Sequence, residues 1–257
     1  MLEIRDLSGG YGKDRDTVCG ISLTVGVGEL VSVVGRNGSG KSTLLRLALR
    51  YIKRSGGEVF LDGVSSSNMS SREIARLCAY LPQTTRECDM TVLEYVLHGR
   101  FPYTPLTSPY SERDRRIALE SLLKMSLDSF SHRRMSELSG GERQKVYIAR
   151  ILCQQTQNII LDEPTASLDI SHQIELMQAL RGIADEGRSV LCVMHDIPLA
   201  LEYSDKIAVI EDGRLAAFDT PQYICESGIL RSALGIGVNY DGKRYCYEFN
   251  RAAEQKR

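Results

Sequence analysis

A glycine-rich segment at residues 35–42 is the part of the sequence whose chemistry is easiest to specify. It reads G-R-N-G-S-G-K-S and fits the pattern G-x-x-x-x-G-K-[ST]. Glycines let backbone N–H groups converge on phosphate oxygens, and a helix that begins after Gly40 adds the positive end of its dipole. In this pattern Lys41 pairs with the β- and γ-phosphates, and Ser42 ligates Mg²⁺. The segment, which we call the phosphate loop, therefore predicts nucleotide binding rather than an ordinary glycine-rich turn.

Two adjacent carboxylates supply a second element of a hydrolytic site. Asp162 and Glu163 directly follow the apolar residues 159–161. At the end of a buried strand, Asp162 can reach a metal ion through water, and Glu163 can polarise an attacking water as a general base. On their own, the two residues are equally compatible with a solvated acidic turn. Beside the phosphate loop, they predict nucleotide hydrolysis.

The segment L-S-G-G-E-R-Q at residues 138–144, which we call the signature segment, adds a second chain to this interpretation. A sequence with both this segment and the phosphate loop resembles the ATP-binding cassette family, the ATPase subunits of ABC transporters. The resemblance runs from about residue 2 to about residue 228. In that family the segment covers the γ-phosphate held by the other subunit, which implies that Ser139 and Gly141 are contacts in trans. The alternative is a serine-capped helix start.

Three single residues and one loop take their roles from the same resemblance. Tyr11 matches the aromatic residue that stacks on adenine, and Gln83 matches the glutamine that senses Mg²⁺ and the attacking water. His195 matches the histidine that contacts the γ-phosphate. Asp169, in the sequence S-L-D, matches a residue that couples the two sites of the dimer. Judged alone, the first three would be a surface tyrosine, a loop glutamine and a capping histidine.

The resemblance therefore implies ATP and Mg²⁺ as cofactors and assigns residues to three roles. The catalytic residues are Glu163, His195 and Gln83. The metal-binding residues are Ser42, Gln83 and Asp162. The nucleotide-binding residues are Tyr11, Gly35, Asn37, Gly38, Ser39, Gly40, Lys41, Ser42, Thr43, Ser139, Gly140, Gly141, Gln144 and Asp169.

Runs of apolar residues predict the elements that hold these groups. Residues 30–34 form a continuous apolar run that leads into the phosphate loop, and residues 41–52 read as a helix. Before them, alternate apolar positions predict β structure at Ile21, Leu23 and Val25. Strand, loop and helix in this order are the context that the phosphate-loop motif requires.

Two further apolar runs, at residues 159–161 and 190–194, read as buried strands. A helix follows the first run, and its predicted apolar face contains Ile170, Ile174 and Met177. Strands that alternate with helices predict an α/β core with parallel strands. The predicted fold class is therefore α/β: a phosphate-loop ABC ATPase core with an antiparallel β subdomain and a helical subdomain insert.

The sequence predicts one ATPase domain at residues 1–235, with the helical subdomain inserted at about 84–140. Thr91 and Glu94 predict a capping box at a helix start. A second helix is predicted at residues 112–127, with an apolar face of Ile117, Leu122, Leu123 and Leu127.

Turn residues predict two hairpins in the last third of the chain. Asp212 and Gly213 separate two short apolar runs and predict the first. A second is predicted at residues 238–249 around Asp241 and Gly242. Residues 236–257 are accordingly predicted to be a C-terminal hairpin and tail.

Composition limits the classes of partner. The 257 residues carry a formal net charge of −1, so no long-range field favours nucleic acid. No apolar run approaches the roughly 18 residues of a transmembrane helix, and the N-terminus has no secretory pattern. Seven cysteines without a C-x-x-C pair predict reduced thiols. We therefore expect a soluble protein whose membrane role depends on partners.

The resemblance predicts the ATP-hydrolysing subunit of an importer at the cytoplasmic face of a bacterial-type membrane. Its implied partners are a second copy, integral-membrane permease subunits and, indirectly, an extracytoplasmic substrate-binding protein. Residues 98–103, H-G-R-F-P-Y, resemble the G-R-[FY]-P stretch of ATPases that serve iron-siderophore, haem and cobalamin import. A zinc or manganese importer, an exporter and a non-transport ABC ATPase stay open.

Overall fold

The structure is a computed structural model that describes residues 1–12, 16–84, 89–105 and 107–248. Its strands are β1 (Leu2–Gly9), β2 (Val18–Val25), β3 (Leu30–Gly35), β4 (Arg54–Leu61), β5 (Val64–Ser65), β6 (Cys78–Leu81), β7 (Asn158–Asp162), β8 (Ser189–Val193), β9 (Lys206–Glu211), β10 (Arg214–Asp219), β11 (Val238–Tyr240) and β12 (Tyr245–Tyr247). Its α-helices are α1 (Lys41–Ala48), α2 (Ser71–Leu77), α3 (Val92–Leu97), α4 (Glu112–Lys124), α5 (Gly140–Cys153), α6 (Ile170–Asp185), α7 (Ile197–Tyr203), α8 (Pro221–Glu226) and α9 (Ile229–Leu234). Short 3₁₀ helices are at Ser66–Asn68, His98–Arg100, Asp128–Phe130 and Met135–Glu137.

The central sheet has the strand order β10-β9-β3-β8-β7-β6 and is parallel except for β10. Every residue of β7 and β8 is buried, as continuous apolar runs predict. Val193 pairs with Val33 of β3 and with Asp162 of β7. The carboxyl ends of these three strands therefore lie side by side, where open α/β sheets bind ligands.

A second sheet, antiparallel, has the order β2-β1-β4-β5. Helix α1 lies between the two sheets, because its fully buried Leu44 and Leu45 share one core cluster with Ile4 of β1 and Val33 of β3. Each such side chain contributes about 1.5–3 kcal/mol of burial free energy. This packing fixes the N-terminus of α1 at the end of β3. The predicted α/β fold with an antiparallel sheet is confirmed.

Helices α3 and α4 lie between β6 and β7 in the sequence and pack with α5. The predicted capping box is confirmed: Thr91 Oγ1 accepts from the Glu94 N–H, and Glu94 Oε2 accepts from the Thr91 N–H. The predicted apolar face of α4 is wrong at Leu123, which is 63% exposed. Ile170 on α6 is likewise exposed, so its place in a buried face was a wrong prediction.

Two helices end earlier than the sequence predicts. Helix α1 stops at Ala48 rather than at residue 52, because Arg50 is left-handed and the N–H of Tyr51 donates to the Arg46 carbonyl. Helix α4 ends in the same way around a left-handed Ser126. Both ends are Schellman-type turns, in which glycine usually takes the left-handed position.

Both predicted hairpins are present within the described residues. Asp212 and Gly213 have φ values of 46° and 77°, as a two-residue type I′ turn requires. Strands β11 and β12 pair around Asp241 and Gly242, while Phe249 lies outside the described residues. The Tyr247 hydroxyl accepts from the Ile197 N–H, so the second hairpin packs on α7. Among helices in the described ranges, none has both the length and the hydrophobicity that crossing a membrane requires.

Candidate active site

The phosphate loop joins β3 to α1 and leaves the N-terminus of α1 open. Gly38 and Gly40 have φ values of 80° and 102°, which favour glycine. Gly40 is the N-cap of α1, and no side chain caps that end. A Cβ atom on Gly35 would lie 2.4 Å from the carbonyl oxygen of Ile210, so this glycine is required by close packing. The free N–H groups of the first turn can therefore bind an anion.

Lys41 lies over this loop. Its Nζ donates to the carbonyl oxygens of Gly35 at 2.8 Å and Arg36 at 2.9 Å. Burial lowers the pKa of Lys41, although the nearby Glu163 and Asp162 carboxylates act in the opposite direction. A partly desolvated ammonium group at this position is well placed to bind phosphate oxygens.

Ser42, in the first turn of α1, contacts Asp162 at the end of β7. Ser42 Oγ donates to Asp162 Oδ1 at 2.9 Å, and the Tyr80 hydroxyl donates to Asp162 Oδ2 at 3.4 Å. Burial raises the pKa of Asp162, and the hydrogen bond from Ser42 partly opposes this shift. The pair offers two oxygen atoms, the donor type that Mg²⁺ prefers.

Glu163 connects the ends of three strands. Its Oε1 lies 2.6 Å from Nε2 of His195, which follows β8, and its Oε2 accepts from Nε2 of Gln83, which follows β6, at 2.7 Å. Its backbone is left-handed, with φ of 54°, a costly conformation for a non-glycine residue that often marks functional sites. The side chain is only 10% exposed. The contacts fix a carboxylate beside the phosphate loop.

Most of these groups line one cleft of about 600 Å³, although Asp162 and Gly35 are not among its lining residues. Its lining residues are Tyr11, Thr17, Asn37, Gly38, Gly40, Lys41, Ser42, Thr43, Gln83, Glu163 and His195. Tyr11 is 61% exposed at its edge, and its hydroxyl accepts from Arg46 at 2.5 Å. Ser39, within the phosphate loop, is buried and has no hydrogen-bond partner for its hydroxyl among the described residues.

The signature segment and Asp169 do not line this cleft. Ser139, Gly140, Gly141 and Gln144 begin α5, and Asp169 caps α6. Ser139 is the N-cap of α5, and its Oγ accepts from the Glu142 N–H at 3.3 Å as part of a capping box. Ser139 and Gly140 are exposed, so one chain presents these residues on its surface instead of over its own phosphate loop.

Sequence reasoning missed three residues that contact the cleft or the predicted site residues. They are Thr17, Tyr80 and His172, the last of which contacts Asp169. The carbonyl oxygen of Thr17 lies 3.1 Å from the position of a Cβ on Gly40, and Thr17 lines the cleft. The Tyr80 contact joins β6 to β7. Both contacts link segments far apart in the chain, and no local pattern marks them.

A phosphate loop, a serine–aspartate pair and a fixed glutamate at the ends of parallel strands define a phosphate-loop ATPase. The ABC transporter family matches residues 18–166. The chain belongs to this family, and it is an ATP-binding subunit with ATPase activity.

The chain is similar to import ATP-binding proteins and to a solved cassette over most of its length. The petrobactin import ATP-binding protein FpuC of Bacillus anthracis is 37% identical over 88% of this chain and 84% of its own length. The iron(3+)-hydroxamate import ATP-binding protein FhuC of Bacillus subtilis is 35% identical over 91% of this chain and 88% of its own. A dimeric structure of the cassette MJ0796 with ADP and Pi superposes with a TM-score of 0.73 at 28% identity, over 86% of this chain and 99% of that one. Cassettes of this family thus form dimers.

Proposed function

We propose that the chain is the ATP-hydrolysing subunit of an importer of metal chelates of the iron–siderophore type. Two copies act with separate permease subunits at the cytoplasmic face of the membrane, supplied by an extracytoplasmic substrate-binding protein. The observation that carries the ATPase chemistry is the Glu163 carboxylate held between His195 and Gln83 beside the phosphate loop. The names of the relatives FpuC and FhuC support iron-chelate import.

ATP binding follows from the loop geometry. The N–H groups at the start of α1 and the Lys41 ammonium group bind the β- and γ-phosphates. Ser42, Asp162 and Gln83 would hold Mg²⁺, which neutralises charge on those phosphates when bound. Within the described residues, no group of three or more His, Cys, Asp or Glu side chains is placed so that it could hold a metal ion. The donors of Ser42, Asp162 and Gln83 include a single carboxylate. Such a set fits Mg²⁺, which keeps several waters and takes few protein carboxylates. Tyr11 stacks on adenine.

Hydrolysis follows from the position of Glu163. The carboxylate accepts a proton from water as the water oxygen bonds to the γ-phosphorus and the bond from that phosphorus to the β–γ bridging oxygen breaks. ADP and inorganic phosphate result. His195 and Gln83 orient Glu163, and His195 also contacts the γ-phosphate.

A second copy completes each site. The exposed Ser139 and Gly140 lie outside the cleft, so they are available to cover ATP bound by another chain. Ile170, directly after Asp169, is 72% exposed, an apolar side chain that a second copy would bury. A single chain is therefore expected to bind ATP but to hydrolyse it slowly.

A groove of about 210 Å³ beside β6 suits a cytoplasmic segment of the permease. Tyr51 and Phe101, which line it, are 61% and 55% exposed. Strand β6 also leads directly to Gln83, so a segment docked in the groove can affect the glutamine that holds Glu163. Phe101 belongs to the segment that resembles the G-R-[FY]-P stretch.

Affinity purification from detergent-solubilised native membranes tests the transport function, with an affinity tag on this chain and Phe101→Asp as a matched control. We expect the wild-type chain to retain a many-spanning permease and the control to lose it, with equal ATP binding. The purified complex is then placed in liposomes with ATP on the side of the ATPase, and uptake of a radioactive ferric hydroxamate is measured. Recovery of soluble partners alone overturns the transport function and leaves the ATPase chemistry intact.

A further inference from the structure

His172 lies where two parts of the composite site meet. It belongs to the first turn of α6, and its backbone N–H donates to Asp169 Oδ1 at 2.9 Å. Its ring Nδ1 lies 2.8 Å from the same oxygen. The Asp169 carboxylate therefore fixes both the backbone and the ring of His172.

The same ring contacts the signature segment. A Cβ atom at Gly141 would lie 2.5 Å from Cδ2 and 2.9 Å from Nε2 of His172. Only a glycine leaves enough room for the ring to pack directly on the start of α5. About one turn further along both helices, Lys145 Nζ lies 2.7 Å from Glu175 Oε2, so an ion pair joins α5 and α6 again.

We propose that His172 is a positioning residue that fixes the signature segment relative to Asp169 within one protomer, so that both reach the ATP of the partner together. This inference rests on the proposed function, in which the signature segment of one copy covers ATP bound by another, and on the family resemblance that assigns Asp169 to coupling of the two sites. The side chains of His172 and Asp169 are 42% and 67% exposed, so their contact contributes little to folding. Its loss therefore changes catalysis more than stability.

Heterodimers with a single working site test this role. One full-length chain carries Lys41→Ala and supplies only the signature segment; the other carries Ser139→Arg and supplies only the phosphate loop. The two chains bear different affinity tags so that the heterodimer can be isolated. His172→Ala is introduced into either chain, and His132→Ala, at an exposed histidine, is the control. We measure kcat, ATP affinity and Tm.

We expect His172→Ala to lower kcat about tenfold in the signature-supplying chain and less than about twofold in the loop-supplying chain, with affinity and Tm unchanged. His172→Asn keeps a donor toward Asp169 and is expected to recover part of the loss, as is His172→Phe, which keeps the ring. Equal losses in both placements, or no loss in either, overturn the proposal. A parent heterodimer without turnover, beside an active wild-type chain, overturns the composite site and this inference with it.

Discussion

Oε1 of Glu163 lies 2.6 Å from Nε2 of His195. The two residues follow neighbouring parallel strands, in which Leu161 pairs with Cys192. The sheet register therefore places the carboxylate and the imidazole side by side, although they are far apart in the sequence. The same register places both beside the phosphate loop that follows β3.

Glu163→Gln tests the general base. The amide keeps the shape of the side chain but cannot accept the proton of the attacking water, so we expect kcat to fall roughly 10²–10⁴-fold. ATP affinity should persist because Lys41 and the start of α1 are unchanged. ATP-bound dimers should then accumulate, which size-exclusion chromatography with ATP would detect. Glu202→Gln, at an exposed glutamate of α7, is the control. Wild-type turnover in Glu163→Gln would exclude the assigned role.

Lys41→Ala tests the phosphate loop. The substitution removes the ammonium group that donates to the loop carbonyls, and with it the charge proposed to bind phosphate. Charge-assisted hydrogen bonds contribute about 1.5–3 kcal/mol, so we expect ATP affinity to fall roughly 10- to 100-fold. Titration calorimetry measures this directly. Lys53→Ala, at an exposed lysine beyond α1, should bind ATP like the wild type. Equal affinities in the two variants would contradict the assignment.

The sequence predicts what depends on neighbouring residues. The apolar run before the phosphate loop, the glycines within it and the capping box at Thr91 are local patterns, and the structure has all three. The C-terminal ends of α1 and α4 could not be predicted. Beyond each end a non-glycine residue, Arg50 or Ser126, takes the left-handed position. Only tertiary packing makes up for that local cost.

Contacts between distant segments lie beyond local patterns for a different reason. The ring of His172 packs on Gly141, and Tyr80 donates to Asp162, yet neither pair has a spacing that a single sequence reveals. Burial is also decided by the tertiary fold, so Leu123 and Ile170 fit an apolar periodicity but lie on the surface. Resemblance to a family predicts which side chains react, and the sheet register explains why Glu163 and His195 lie together.

Asp162→Asn is expected to stabilise the protein while it abolishes activity. Burial raises the pKa of Asp162 in the folded state, so the ionised carboxylate opposes folding at neutral pH. This penalty is absent below the unfolded-state pKa, where the carboxyl group is protonated in both states, and it is complete once the pH has risen through the folded-state pKa. We expect the Tm at pH 7 to rise by roughly 2–4 °C, with a smaller gain near pH 4.

Thermal unfolding at the two pH values, together with ATPase assays, checks this prediction. Asp185→Asn alters an exposed carboxylate and provides the control, with little expected change in Tm or turnover. A lower Tm for Asp162→Asn at pH 7 would show that its hydrogen bonds to Ser42 and Tyr80 outweigh the effect of burial.

Arg100→Leu tests the buried ion pair that holds the helical insert. Arg100 Nε donates to Asp114 Oδ1 at 2.9 Å, with side chains only 7% and 13% exposed, and Arg100 also donates to the Cys153 carbonyl at the end of α5. Removal of one partner leaves the other charge buried, so we expect a loss of about 3–5 kcal/mol in unfolding free energy. Arg5→Leu, which removes an exposed pair with Glu3, is the control, and we expect little change in its unfolding free energy.

The pH dependence of the same variant separates the ion pair from packing. Burial acts to raise the pKa of Asp114, but hydrogen bonds from Ser111 and Arg100 outweigh it and hold the pKa below its ordinary value. The stabilisation is therefore complete above the unfolded-state pKa and is lost as pH falls through the folded-state pKa. Urea unfolding at pH 7 and pH 3 should show the difference between wild type and Arg100→Leu shrinking at the lower pH. A difference that stays constant would assign the loss to packing of the arginine side chain instead.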